Sequence, residues 1–151
     1  MMTDLKAELY RHCVNYVQSR IDSISYTISS AQQSANEETK SSAGDKYETG
    51  RAMMQQETDR NTGLLNEAKK LMVVLNRISA TASSARAEAG SLVITNNGRF
   101  YIAVSAGSVT INNEVYFAVS QASPIGLKLT GSKAGDRFIL NGKHYEIMEI
   151  V

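Results

Sequence analysis

Two long stretches of helical grammar, Asp4 to Glu38 and Tyr47 to about Arg86, flank a short turn, Gly44-Asp45-Lys46-Tyr47-Glu48, and neither contains a proline. A proline inside a helix removes a backbone hydrogen bond and clashes with the preceding turn, so its absence leaves both stretches free to run uninterrupted. A helix of about thirty-five residues is roughly 50 Å long. Two such helices joined by a tight turn form a hairpin, and what its tip carries becomes the functional question. Here the tip carries two carboxylates, Asp45 and Glu48.

Apolar residues set the pairing. The first stretch places Leu5, Leu9, Cys13, Tyr16/Val17, Ile21, Ile24, Ile28, Ala31 and Ala35 on one stripe, and the second answers with Leu64/Leu65, Ala68, Leu71/Met72, Leu75 and Ile78. Steps of three and four residues put each set on one helix face. Folding the chain near Gly44 sets Ile24 near Leu64, Val17 near Leu71 and Leu9 near Ile78, as an antiparallel two-helix coiled coil requires. Toward the turn the stripe gives way to Gln32, Gln33, Ser34, Asn36 and Glu37 on one side and Gln55, Gln56, Thr58 and Asp59 on the other. Few buried contacts hold such an end, so it is the less stable part of the hairpin.

From Gly90 the apolar period shortens from 3.6 to 2. Leu92–Thr95, Arg99–Val104, Val109–Ile111, Glu114–Val119, Arg137–Leu140 and Lys143–Ile150 read as strands. Asn97-Gly98, Asn112-Asn113 and Asn141-Gly142 read as hairpin turns. Ser123-Pro124 opens a short helix, serine as N-cap and proline at the first helical position, and Gly131 stands where the helix stops. The expected fold is therefore α+β: a coiled-coil hairpin over residues 1–86 with its acidic tip near 44–48, then a small, mostly antiparallel β-domain with one short helix over residues 87–151. The join lies in the small-residue stretch from Ser83 to Gly90.

Composition narrows the function classes. Sixteen basic residues face fifteen acidic ones. They divide as 11 and 11 over residues 1–89 and 5 and 4 over residues 90–151, so neither half is a basic tail for nucleic acid. One cysteine, Cys13, makes no intrachain disulfide, which fits a reducing compartment. No apolar run reaches the roughly 20 residues of a membrane span, and the N-terminus lacks the apolar core of a signal peptide. A cytoplasmic protein without a membrane partner is expected.

Along the second half stand, in order, Ala118-Val119-Ser120-Gln121-Ala122-Ser123-Pro124-Ile125-Gly126, then Leu129, Gly131, Lys133, Gly135-Asp136 and the closing Tyr145-Glu146-Ile147. In these residues the second half resembles the C-terminal domain of the Gre-type transcript cleavage factors, bacterial proteins that bind RNA polymerase. The first half is similar in architecture. That family's hairpin tip reads Gly-Asp-x-x-Glu-Asn, and Gly44, Asp45 and Glu48 stand at the matching positions, with Thr49 in place of the asparagine. Gly50-Arg51-Ala52 departs from the usual Ala-Glu-Tyr.

The resemblance implies an FKBP-like β-domain, without prolyl isomerase activity, that docks at the rim of the polymerase's secondary channel while the hairpin enters it. Docking falls to Ser123, Pro124, Ile125, Gly126, Lys128 and Lys133. Asp45 and Glu48 then reach the polymerase's active centre and help hold a second Mg²⁺, a hard cation that prefers oxygen ligands. Such a two-metal site activates water for phosphodiester hydrolysis of backtracked RNA. The chain has no cofactor of its own, no small-molecule substrate and no active site of its own; the Mg²⁺ is shared with the polymerase. Lys46 and Arg51 are candidate contacts to the nascent RNA.

Plainer roles exist for the same residues. Asp45-Lys46-Tyr47-Glu48 is also a capping box, an N-cap carboxylate with glutamate three residues on, and acidic residues suit a helix N-terminus. Glu37, Glu38, Lys40 and Arg60 suit a solvated coiled-coil surface. Cys13 lies on the apolar stripe and adjacent His12 points off that face, so the pair lacks the reach that a nucleophile and its base require. His144 has no spaced Cys, His or Asp partners for zinc, and Met53, Met54 and Met72 suit packing. Two other functions share this fold: a secondary-channel regulator that inhibits or modulates transcription without cleavage, and a coiled-coil protein-interaction adaptor.

Overall fold

The computed structural model describes the backbone of residues 2–41, 45–78 and 84–151, and the side chains of residues 4–34, 50–78 and 84–151. Two helices, α1 (Met2–Ser41) and α2 (Asp45–Asn76), precede β1 (Leu92–Thr95), β2 (Gly98–Ala103), β3 (Gly107–Ile111), β4 (Glu114–Ser120), α3 (Pro124–Leu129), β5 (Arg137–Leu140) and β6 (Lys143–Ile150). The class is α+β, as expected. The chain divides into two compact units: Met1–Tyr16 with Met72–Val151, and Val17–Leu71. The first unit thus groups the ends of both helices with the sheet.

In the Val17–Leu71 unit, Val17 is fully buried, and Ile21, Ile24, Ile28 and Ala31 are half-buried along the same face of α1. The α2 face runs Met54, Thr58, Asn61, Leu65, Ala68, alternating steps of four and three, and every member is buried or half-buried. That 3.5-residue period is the coiled-coil seam. The expected seam stopped at Leu64/Leu65; the burial continues through polar residues that apolar periodicity does not register. Leu65 belongs to the seam, whereas Leu64 is exposed.

In the other unit, the helix ends and one face of the sheet share a core. Leu9, Cys13, Leu75, Leu92, Tyr101 and Val104 are essentially solvent-free. Full burial of each leucine or valine among them stabilises by about 1.5–3 kcal/mol. The Tyr10 hydroxyl donates to the Leu75 carbonyl (2.9 Å), within one turn of the expected Leu9–Ile78 level. The Lys6 ammonium donates to the Val151 carbonyl (3.2 Å). His12 Nε2 lies 3.0 Å from the Ala106 carbonyl oxygen, an acceptor, so that nitrogen is the protonated one.

Helix α2 stops at Asn76, about ten residues before the expected end near Arg86. The Arg77 and Ile78 amides bond to the carbonyls of Val74 and Leu75, the tight i−3 pattern of a terminating turn. Further on, the chain is claimed by the β-domain: the Ala87 amide donates to Ser132 (2.7 Å), Gly131 donates back to Ala87 (2.8 Å), and the Arg86 guanidinium reaches the Gly131 carbonyl (2.9 Å). Alanine-rich composition favoured helix here; these long-range bonds override it.

The sheet order is β3-β4-β2-β1-β6-β5, antiparallel throughout except for the β2/β4 pair. Its other face carries a second core of Val93, Phe100, Ile102 and Ile147, joined by Ala87 and by Leu129 from α3. Phe117, Phe100, Tyr145 and Phe138 extend this face as neighbouring rings at centroid separations of 5.8, 6.3 and 4.9 Å. Two hairpins turn as expected, with φ of 52° and 67° at Asn112-Asn113 and of 51° and 78° at Asn141-Gly142, the left-handed pair that a type I′ turn demands. In the first hairpin the two-residue loop is Asn96-Asn97, one position before the expected Asn97-Gly98, because Thr95 pairs with Gly98. The Thr95 hydroxyl fixes that loop, donating to the Gly98 carbonyl (2.8 Å) and accepting from the Asn97 amide (3.1 Å).

The start of α3 is a compact knot. Ser123 caps the helix by accepting from the Gly126 amide (3.1 Å), and its hydroxyl donates to the Ser120 carbonyl (2.6 Å). A Cβ on Gly126 would collide with the Ser120 backbone carbonyl, which has no room to yield. Gly126→Ala is therefore expected to lower the unfolding free energy by about 1–3 kcal/mol, read by urea denaturation. A change under about 0.5 kcal/mol would contradict this close approach.

Candidate functional site

Asp45 opens α2, and Glu48 follows three residues later in the same first turn. Residues three apart on a helix are surface neighbours, and the positive end of the helix dipole lies beside them. The side chains of Asp45, Lys46 and Glu48, those of Glu37, Glu38 and Lys40, and all of Gly44 fall outside the described residues. The capping and metal-holding roles of the acids therefore stand as expectations from sequence. Arg51, in the second turn, is exposed. Arg60 is engaged by Glu57 through two contacts of 2.6 and 2.7 Å, which makes it part of a surface ion pair.

The proposed docking residues divide between scaffold and surface. Gly126 is buried and Ile125 packs against the β-domain core, while the Ser123 hydroxyl is consumed by the knot at the helix start. These three shape the segment. Pro124, Lys128 and Lys133 are exposed and present it. The Lys133 amide donates to Asp136 Oδ2 (3.0 Å). The Gly135 amide donates to the Ile147 carbonyl, and the Ile147 amide to the Asp136 carbonyl, at 2.7 and 2.8 Å. The Lys-x-Gly-Asp and Tyr-Glu-Ile motifs are thus parts of one joint that ties the loop to β6.

Sequence reasoning missed two surface features beside this segment. Leu127, 69% exposed, points away from the face that buries Ile125 and Leu129. The four-residue spacing of Ile125 and Leu129 was the available signal, because it turns Leu127 outward. An open cleft of about 750 Å³ also lies between Lys128 and the β5/β6 hairpin, lined by Asn96, Arg137, Phe138, Ile139, His144, Tyr145 and Glu146. Its rings Phe138 and Tyr145 stack at 4.9 Å, and Arg137 faces Glu146 at 3.7 Å. Exposed pairs of this kind contribute about 1 kcal/mol or less.

Several chemistries find no support in the geometry. Burial pushes the Cys13 thiol up to about 11, despite a hydrogen bond with the Val104 backbone that acts the other way. The thiol, not the thiolate, is therefore present near neutral pH. The Nε2 nitrogen of His12 is engaged with Ala106. Tyr101 is also raised, by burial first and then by Cys13 and Tyr10. Among the described residues, no three His, Cys, Asp or Glu side chains converge as a metal site, and no helix is long and apolar enough to cross a membrane.

No protein-family model matches the chain, and no curated protein matches it. Among solved structures, the chain is similar to one described as the structure of the transcription factor Gfh1, at a TM-score of 0.33 and 16% sequence identity, over 89% of this chain and 90% of that one.

Because Lys128 and Lys133 project into solvent, Lys128→Glu and Lys133→Glu are expected to change stability by no more than about 0.5 kcal/mol. Thermal melts test this. A larger loss in either would assign that lysine to the fold and remove it as a probe of docking.

Proposed function

We propose that the chain is a polymerase-binding factor of the Gre type, acting on backtracked transcription complexes through Asp45 and Glu48. The observation that carries the reading is the placement of both acids in the first turn of α2, a helix of 32 residues that follows another of 40. The ordered β-domain motif supports it, as does the structural work its residues do: the Ser123 cap, the close approach at Gly126 and the Asp136–Ile147 joint. The fold needs these residues to hold α3 and the loop after it in place.

The division of labour is physical. The β-domain supplies affinity through the exposed part of α3 and the loop beyond it. The hairpin supplies reach. Asp45 and Glu48 suit a hard cation by donor chemistry, since both offer only carboxylate oxygens and their spacing puts them on one face. They are the residues that would hold Mg²⁺ shared with the polymerase, an ion that supplies Lewis-acid activation of water at a phosphodiester. One carboxylate would serve as a ligand; the other would accept a hydrogen bond from the attacking water, orient it and take its proton. Lys46 and Arg51, on the same two turns, offset the negative charge of RNA. The reaction itself belongs to the polymerase.

A second reading is favoured by Thr49-Gly50-Arg51-Ala52, where the tip departs from the family pattern. In it the protein occupies the secondary channel and modulates transcription without stimulating cleavage.

The deciding experiment is RNA cleavage in a stalled, backtracked elongation complex with wild type, Asp45→Asn and Glu48→Gln, binding being measured in parallel. The proposal expects short 3′ fragments with wild type and at least a tenfold loss in each variant at unchanged polymerase affinity. Binding without cleavage by wild type would establish the modulating reading. Absence of polymerase binding would overturn both and leave an adaptor of another kind.

A further inference from the structure

The middle of α2 carries two independent weaknesses within three residues. Asn61 occupies a seam position between Thr58 and Leu65 and is only 7% exposed, yet its side-chain amide nitrogen has no hydrogen-bond partner. A buried amide donor left unpaired opposes the closed state, because water satisfies it once the seam opens. Two residues on, Gly63 lies in the helix interior, and a Cβ built there meets nothing within 4 Å. Close packing, the usual reason for a glycine inside a helix, is absent at this site. What remains is its effect on the chain: glycine is the poorest ordinary helix former because it loses the most conformational freedom. Thr62 between them is β-branched and adds no helix preference. The half-buried Thr58, one seam position earlier, continues the polar layer.

From these we infer that Asn61–Gly63 is a soft joint built into the Val17–Leu71 unit, at which α2 opens or bends before the rest of the helix does. An alanine at 63 meets no obstacle in the surroundings, so packing does not impose that weakness. A hairpin that must enter a confined space gains from a segment that yields, and this use rests on the proposed function. The joint itself does not.

The test is amide hydrogen exchange on the full chain, followed by mass spectrometry of peptides spanning residues 58–66, 68–75 and 6–13, for wild type, Asn61→Leu and Gly63→Ala. The joint predicts faster exchange over 58–66 than over 68–75 in wild type. It also predicts slowing over 58–66 of roughly fivefold or more in each variant, with exchange over 6–13 unchanged. Equal protection of the two α2 segments in wild type would overturn it. So would variants that leave 58–66 as it was, or that slow all three segments equally. Because no polymerase is present, failure here is distinguishable from failure of the proposed function.

Discussion

The covering of β1 and β2 by the helix ends is the constraint on which the first unit depends. Leu92 and Tyr101 project from the sheet face opposite the α3-covered core, and without Leu9, Cys13 and Leu75 nearby they would be left to solvent. Three polar contacts fix the arrangement: Lys6 to Val151, Tyr10 to Leu75 and His12 to Ala106. Tyr101 is buried with its hydroxyl unpartnered, a cost of about 1–3 kcal/mol that the surrounding apolar burial outweighs. A small sheet thereby acquires two cores, one under α3 and one under the helix ends. It also fixes where both helices leave the sheet.

Against that firm base, the Val17–Leu71 unit is built to a looser standard. Its seam keeps the coiled-coil period but fills it with Met54, Thr58, Asn61 and Ala68 rather than with leucine and isoleucine throughout. Small and polar seam residues bury less apolar area, so stability per turn declines toward the tip. The densest apolar burial lies in the unit that contains the sheet.

Much of this was legible in the sequence. Six strands, the Ser123 cap, two type I′ turns and the length of α1 follow from local signals: period, turn chemistry and the lack of proline. The failures come from contacts that hydrophobic period and turn composition do not register, some remote in sequence and some local. Helix α2 ends early because Ala87 pairs with the α3 exit. The first turn shifts by one because the Thr95 hydroxyl binds Gly98. Asn61 is invisible to a hydrophobic count although it sits on the seam, and the cleft beside Lys128 forms only when Asn96 and β5/β6 come together. As for the candidate site, Asp45 and Glu48 are named by motif and position and stand as expectations, while the split of Ser123–Gly126 into buried scaffold and exposed surface emerges only in the folded β-domain.

The central claim is the proposal that the acids at the start of α2 reach the polymerase's catalytic metal. Its most direct test replaces the active-centre Mg²⁺ of a backtracked elongation complex with Fe²⁺ and maps hydroxyl-radical cuts in the bound protein. The account predicts cuts clustered around residues 42–50, with the β-domain spared. Cuts confined to the β-domain, or none in a chain shown to be bound, would contradict it.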